Sequence, residues 1–185
     1  MIYYRIFSKI YERAAKEMCS DCVGFIKKGS KILDLGCGSG IVGKAFQGFF
    51  EVELFGVDIE DRRIINLPFQ IFDGIRLPFP EKSFDTVLIN YVLHHAQDPI
   101  SLLKEAKRIT RDKLIIFEDL PEDILSKIIC RLHGVSYSKF FKNPDKTFFR
   151  SEKEWEEVFE KIGLKVLFKK RVSSFPIKQQ FILGA

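Results

Sequence analysis

Three carboxylates stand where apolar runs would deliver them: Asp34 inside Ile32-Leu33-Asp34-Leu35, Asp58 after residues 52–57, and Asp73 after residues 69–72. A carboxylate only accepts hydrogen bonds, and it takes two donors side by side, as a pair of ribose hydroxyls offers. Between the first two acids lies Gly36-Cys37-Gly38-Ser39-Gly40, a run that lets the chain turn sharply and lets a ligand lie against bare backbone. A strand, a glycine turn and a helix N-terminus form a site for a nucleotide-like ligand. Asp58 follows Gly38 by 20 residues, the distance at which a nucleotide-binding α/β unit sets an acid at the end of its next strand. A second group comprises Asn90 and Tyr91, at the end of the apolar run 84–90, and the pair His94-His95. Ligands bind at such strand ends, and imidazole is the side chain that titrates near neutrality. Glu118-Asp119 close a further run, as substrate contacts or as solvated loop acids.

The glycine spacing narrows the ligand. Counted from Gly36, the third glycine of a dinucleotide fingerprint would fall on Ile41, and no stretch reads G-x-x-x-x-G-K-[ST]. What stands is D-x-G-x-G-x-G, from Asp34 to Gly40. Asp73-Gly74-Ile75 then leads into Leu77-Pro78-Phe79 and Phe84-Asp85, and Leu93-His94-His95 into Asp98-Pro99. Together these resemble the class I S-adenosylmethionine-dependent methyltransferases, in their small-molecule branch. The resemblance implies a cofactor cleft lined by Asp34, Leu35, Gly36, Cys37, Gly38 and Gly40, with Asp34 facing the ligand's ammonium. Asp58 would hold the ribose and Ile59 lie under the adenine ring. Asp73 would accept from the adenine amine, with the N–H groups of Gly74 and Ile75 on the ring nitrogens. Asn90 and Tyr91 would complete the cleft.

The implied chemistry is an in-line displacement by a substrate O, N, S or C nucleophile. The sulfonium is already activated, so alignment in a dry pocket supplies most of the catalysis. A general base is optional, and His94, His95 and Tyr91 are the candidates. No metal is implied. Nucleic-acid amino-methyltransferases carry [DN]-P-P-[YFW] where this chain has Asn90-Tyr91-Val92-Leu93, which disfavours that chemistry.

The elements that must position these residues follow from periodicity. Residues 1–29 form a helical segment, with Ile6, Phe7, Ile10, Ala14 and Met18 at helical intervals; Tyr3, Tyr4 and Tyr11 either close over a cofactor or pack the helix on the sheet. Strands are expected over 32–35, 52–57, 69–72, 84–90 and 113–117, and helices over 41–50 and from Pro99 to Ile109. Lys104, Lys107, Arg108 and Arg111 suit the latter helix's C-terminal dipole. A helix near 123–132 precedes an aromatic, basic stretch through Tyr137, Lys139, Phe140, Phe141, Lys142, Phe148 and Phe149, and 121–150 is the expected substrate cover. Ser151 and Glu154 form a capping box, Gly163 stops that helix, and 164–172 and 179–183 pair as closing antiparallel strands. The resemblance implies a single α/β domain over 1–185: a Rossmann-like three-layer sandwich, its seven-stranded, mostly parallel sheet holding one antiparallel strand, with helices on both faces.

Composition sets the remaining bounds. With 185 residues, 46% hydrophobic and 30% charged, the chain supports one well-packed domain and is not disordered. It has no apolar run of membrane-spanning length and no signal-peptide layout at its start, so a cytoplasmic protein is expected. The net charge of +5 admits an anionic partner such as RNA, but the basic residues are spread out and read better as a solvated surface. Cys19-Ser20-Asp21-Cys22 is a lone C-x-x-C without the second pair of a zinc site, and Cys37 reads as a small lining residue. The resemblance to the small-molecule branch implies a small-molecule acceptor. An RNA or protein methyltransferase, and a non-catalytic cofactor-binding subunit, are the alternatives.

Overall fold

A period of two along each central strand sets the layers. Leu33, Leu35, Val87, Ile89, Leu114, Ile116, Phe181 and Leu183 point to one face of a sheet, and Ile32, Leu88, Ile115, Phe117 and Ile182 to the other. The computed structural model describes residues 2–141, 147–172 and 177–185, and of residues 2, 3, 133–141 and 172 only the backbone. Its helices are α1 (Ile2–Ile6), α2 (Ser8–Asp21), α3 (Ile41–Phe50), α4 (Pro99–Ile109), α5 (Ile124–Phe141) and α6 (Glu152–Lys161). Its strands are β1 (Lys31–Leu35), β2 (Glu53–Asp58), β3 (Phe69–Ile71), β4 (Phe84–Asn90), β5 (Thr110–Leu120), β6 (Lys165–Val172) and β7 (Ile177–Gly184). The side chains of Tyr3, Tyr137, Lys139, Phe140 and Phe141, and the whole of Lys142, lie outside the described residues.

The seven strands run in the order β3-β2-β1-β4-β5-β7-β6. The pairs from β3 to β5 are parallel, and β7 is antiparallel to both its neighbours. This is the expected Rossmann-like sheet with one reversed strand. Leu102, Leu103, Trp155 and Phe159 from α4 and α6 fill one core, and Met18, Cys19 and Phe46 from α2 and α3 fill the other. Strand order reverses between β1 and β4, which opens a crevice at their carboxyl ends.

Two elements are longer than their apolar patterns. β5 continues through Glu118, Asp119 and Leu120 because β7 pairs with it residue by residue from Lys113 to Leu120. Long-range pairing, not local hydrophobicity, sets that boundary. α5 runs through Gly134, since one interior glycine costs only ~1 kcal/mol relative to alanine. The capping box of Ser151 and Glu154 is formed as the sequence indicates.

No helix links β3 to β4, so α4 holds that connection from the side. Arg108 donates to the carbonyls of Leu77 (3.1 Å) and Phe79 (2.9 Å), while Glu105 pairs with Arg108 and accepts from Leu77 N–H at 3.1 Å. Lys107 Nζ donates to the carbonyls of Ile162 (2.9 Å) and Gly163 (2.8 Å), satisfying the end of α6. These cations therefore do more than meet a dipole. On β6, Lys169 pairs with Glu152 and Glu156, Lys170 with Asp21, and Arg171 with Glu152 and Glu122. No described helix is long and apolar enough to cross a membrane.

Candidate functional site

The turn after β1 is held by the end of β2. Gly36 and Cys37 both donate to the Val57 carbonyl, at 2.8 and 3.0 Å, and Gly38 donates to Asp58 Oδ2 at 2.8 Å. Gly36 has φ of 73°, and a Cβ there would stand 2.4 Å from Val92 Cγ2 on the loop after β4. The two loops meet flush at that point. Beside them opens a cleft of about 570 Å³ along the carboxyl ends of the strands.

Asp34, Asp58 and Asp73 all line this cleft, together with Gly36, Cys37, Gly38, Ile59, Gly74, Asn90 and Tyr91. Asp34 is 1% exposed and accepts from Asn90 Nδ2 at 3.4 Å. Burial, then the charge of Asp58, pushes its carboxyl up to about 7, against the pull of Asn90 and the Gly43 N–H. Asp58 accepts from Gly38 N–H through one oxygen and from Ile59 N–H through the other, both at 2.8 Å. Its carboxyl is also raised by burial, which those backbone donors partly offset. Asp73 is exposed, and its Oδ1 accepts from the N–H groups of Ile75 and Arg76, both at 2.8 Å. Those bonds hold it below the usual carboxylate range.

Three residues of the expected cofactor-binding set lie outside the cleft lining. Leu35 is fully buried in the α4–α6 core, facing away. Gly40 caps α3 with a left-handed φ of 79°. Ile75 is 64% exposed, and its N–H is engaged by Asp73 rather than pointing at a ligand. The candidate bases also separate. His95 lines the cleft, but His94 is fully buried, with Nδ1 2.5 Å from Glu118 Oε2 and its ring stacked on Phe149 at 4.6 Å. Glu118 also accepts from Leu93 N–H at 2.8 Å, so the buried pair pins the 93–95 turn to β5. Burial works against the charged imidazole, yet Glu118 more than compensates and the His94 pKa is raised. Tyr91 lines the cleft with φ of 58°, a strained conformation for an aromatic residue. Burial, followed by the charges of Asp119 and Glu118, pushes its phenol up, which favours the protonated form.

Other parts of the lining carry little signal in the sequence. Tyr4, Ile10, Tyr11, Ala14 and Met18 of the first two helices line the cleft, whereas no described residue of 121–150 does. Tyr4 and Tyr11 thus border the cleft. Asp119 and Lys178 line the other end. Gly43 lets α3 approach Asp34, because a Cβ there would lie 2.6 Å from Asp34 Oδ2. A signal for it does exist: counted from Gly38, residues 38–43 read G-x-G-x-x-G. Cys37 is a buried wall residue, as expected, with its thiol raised by burial. Cys19 and Cys22 are buried free thiols, and Cys22 Sγ accepts from Gln180 Nε2 at 3.3 Å.

A doubly wound sheet with acids at the ends of β1, β2 and β3 around a glycine turn defines a Rossmann-like nucleotide-cofactor protein. A methyltransferase-domain profile matches residues 5–168, and the chain belongs to that family. It is 33% identical to the methyltransferase C1B3.06c of Schizosaccharomyces pombe, over 51% of this chain and 41% of that protein. It is 25% identical to the 27-O-demethylrifamycin SV methyltransferase of Amycolatopsis mediterranei, over 59% and 46%. The matched segments thus span about half the length of these relatives. In three dimensions it is similar to a Haloferax volcanii methyltransferase solved with the Trm112 methyltransferase activator: TM-score 0.77, 18% identity, covering 98% and 92% of the two chains.

Proposed function

We propose that this protein transfers a methyl group from S-adenosylmethionine to a small-molecule nucleophile. The observation that carries the reading is the row Asp73, Asp58, Asp34, set by strand order along one cleft beside the glycine turn. When bound, the cofactor supplies an electrophilic methyl on a sulfonium. Asp34 balances the ammonium of the methionyl end. Asp58 is held rigid by Gly38 and Ile59, and its remaining lone pairs take the ribose hydroxyls. Asp73 keeps Oδ2 for the adenine amine, with Gly74 N–H on the ring and Ile59 beneath it. Tyr4 and Tyr11, which line the cleft, shield the site from water. The pairing of the β6 cations with Glu152, Glu156, Glu122 and Asp21 supports a small acceptor over RNA, and the rifamycin relative is named for a small-molecule O-methylation. A second reading has the same site completed by an activator subunit, as in the Haloferax neighbour. It is favoured by Ile71 and Ile75, exposed at and beside the open edge strand β3.

Calorimetry with S-adenosylmethionine, S-adenosylhomocysteine and NADH tests the reading. Both thio-adenosyl ligands are expected to bind and NADH not to bind. Asp58→Ala should weaken both by about tenfold or more, the loss of charge-assisted hydrogen bonds. Unchanged affinity in Asp58→Ala sinks the site as drawn. Binding that appears only with an activator present selects the second reading.

Asp34 adds a pH prediction. Its folded-state value of about 7 lies above the unfolded 3.8, so the folded protein holds a proton that the unfolded chain releases. Stability therefore falls as pH rises from about 4 to 7, by at most ~4 kcal/mol. Asp34→Asn, of similar shape, should leave stability unchanged at pH 4 and raise it at pH 8, by several degrees in Tm. It should also weaken cofactor binding at pH 8 and abolish the loss of affinity expected of wild type below pH 7. Thermal melts without ligand and calorimetry at both pH values check this, and a variant less stable at pH 8 would refute it.

A further inference from the structure

The order of strands is also an order along the cleft. From β3 to β7 it presents Asp73, Asp58, Asp34, Asn90 with Tyr91, Asp119 and Lys178. If the first three hold the cofactor, the last three face what receives the methyl. Resting on that reading of the cofactor site, we propose that Asp119 stands opposite the transferring methyl. There it accepts the proton of an O–H or N–H nucleophile, while Lys178 beside it receives an anionic group of the same acceptor.

Asp119 is 8% exposed, and its Oδ1 has no hydrogen-bond partner among the described residues. A buried carboxylate oxygen left unmatched is costly, and in a cleft wall it marks a place where a donor is missing. Lys178 is its direct partner in the β5–β7 register, so both side chains rise from the same face into the cleft. Among the described residues Lys178 forms no ion pair; its ammonium lies 5.4 Å from the Tyr91 ring centroid. Among the described residues, one end of the cleft thus sets a carboxylate with an unmatched oxygen beside an ammonium without an ion pair, which suits a proton-bearing nucleophile with a nearby negative charge. A thiolate or carbanion would be repelled by Asp119.

The groups facing Asp119 are His94 and Glu118 from the pinned turn and its own strand, Lys178 from β7, Tyr91 from the β4 loop and the Cys130 thiol from α5. Burial pushes its carboxyl up to about 6; His94 and Lys178 pull it down and Glu118 adds to the rise. It is therefore ionised at neutral pH yet basic enough to take a proton. The nucleophile's lone pair forms the bond to the methyl carbon, the C–S bonding electrons remain on sulfur, and the X–H proton passes to Asp119 and then to solvent. Atoms and charge balance without a further reactant.

S-adenosylmethionine carries a positive sulfur that S-adenosylhomocysteine lacks, so the ratio of their dissociation constants reports the field at the methyl. Calorimetry of both ligands with wild type, Asp119→Asn and Lys178→Gln tests the proposal at pH 8 and pH 5. Asp119→Asn should raise the ratio Kd(S-adenosylmethionine)/Kd(S-adenosylhomocysteine) about fivefold or more at pH 8, and less than about twofold at pH 5, where Asp119 is already protonated. Lys178→Gln should lower it. Asp34 titrates against both ligands alike and cancels. A ratio unmoved by either substitution overturns the proposal while leaving the cofactor site standing; no binding of either ligand to wild type takes down both readings. With any acceptor that turns over, the acid limb of kcat/KM near pH 6 should vanish in Asp119→Asn. A limb that survives there and is lost in His95→Gln assigns the base to His95 instead.

Discussion

Gly36→Ala is expected to lower cofactor affinity by about 100-fold and to destabilise the protein by about 3 kcal/mol. Two separate physical terms act at this position. The backbone has φ of 73°, where an L side chain costs about 1–2 kcal/mol. The new methyl would also meet three atoms of one neighbour: Val92 Cγ2 at 2.4 Å, Cγ1 at 3.0 Å and Cβ at 3.3 Å. Because the whole branched head of Val92 is in the way, no rotation of that side chain clears it. Either the turn or the loop after β4 must move by about an ångström. The turn cannot move alone, since the N–H groups of Gly36, Cys37 and Gly38 hold it to Val57 and Asp58. Displacing it misaligns Asp58, the carboxylate proposed to take the ribose.

A double-mutant cycle isolates the steric term. Val92→Ala alone should cost little, because Val92 is only partly buried. In the Gly36→Ala background it removes both γ-carbons and leaves one tight contact of 3.3 Å, so affinity should recover by about tenfold. The residual loss is the left-handed backbone, which no change at Val92 relieves. If the two substitutions add without coupling, the close approach of the loops is not what the glycine serves.

The same contrast between local and distant causes explains what the sequence discloses. The glycine turn, Asp58 and the sheet itself are legible because their signals are local: an apolar period, a run of glycines, a fixed distance to the next strand's acid. Gly43 escapes a fingerprint counted from Gly36 alone, and its role depends on a carboxylate nine residues earlier that no spacing rule mentions. The end of β5 is invisible for a different reason. Glu118 and Asp119 look like loop acids until β7 pairs alongside them, and that pairing spans more than fifty residues. The adjacent histidines carry no sign of their division of labour. Consecutive residues on a tight turn point to different sides, and only tertiary packing decides which one meets Glu118. Nor can the pattern tell that α1 and α2 line the cleft, since an aromatic stripe reads alike whether it packs on a sheet or borders a cavity.

That division of labour makes the largest stability prediction. Removing His94 leaves Glu118, 1% exposed, as a buried charge that keeps only the Leu93 N–H as a donor among the described residues. His94→Leu should therefore destabilise by about 3–5 kcal/mol, roughly 10 °C in Tm. Glu118→Gln should cost less, because an amide oxygen still accepts from Leu93 and His94 can become neutral. The double variant His94→Leu, Glu118→Gln should recover most of the loss, since no charge is then left buried without a partner. The pH dependence fixes the charge state. A histidine whose folded pKa is raised contributes fully below its unfolded value of about 6.5 and loses that contribution as pH rises through the folded value. The penalty of His94→Leu, read by urea denaturation, should therefore be larger at pH 6 than at pH 9, and in the double variant the difference should vanish. Equal penalties at both pH values would mean that the ring is neutral in the fold. The turn would then be held by a neutral hydrogen bond, and Asp119 would lose the cation that His94 places beside it.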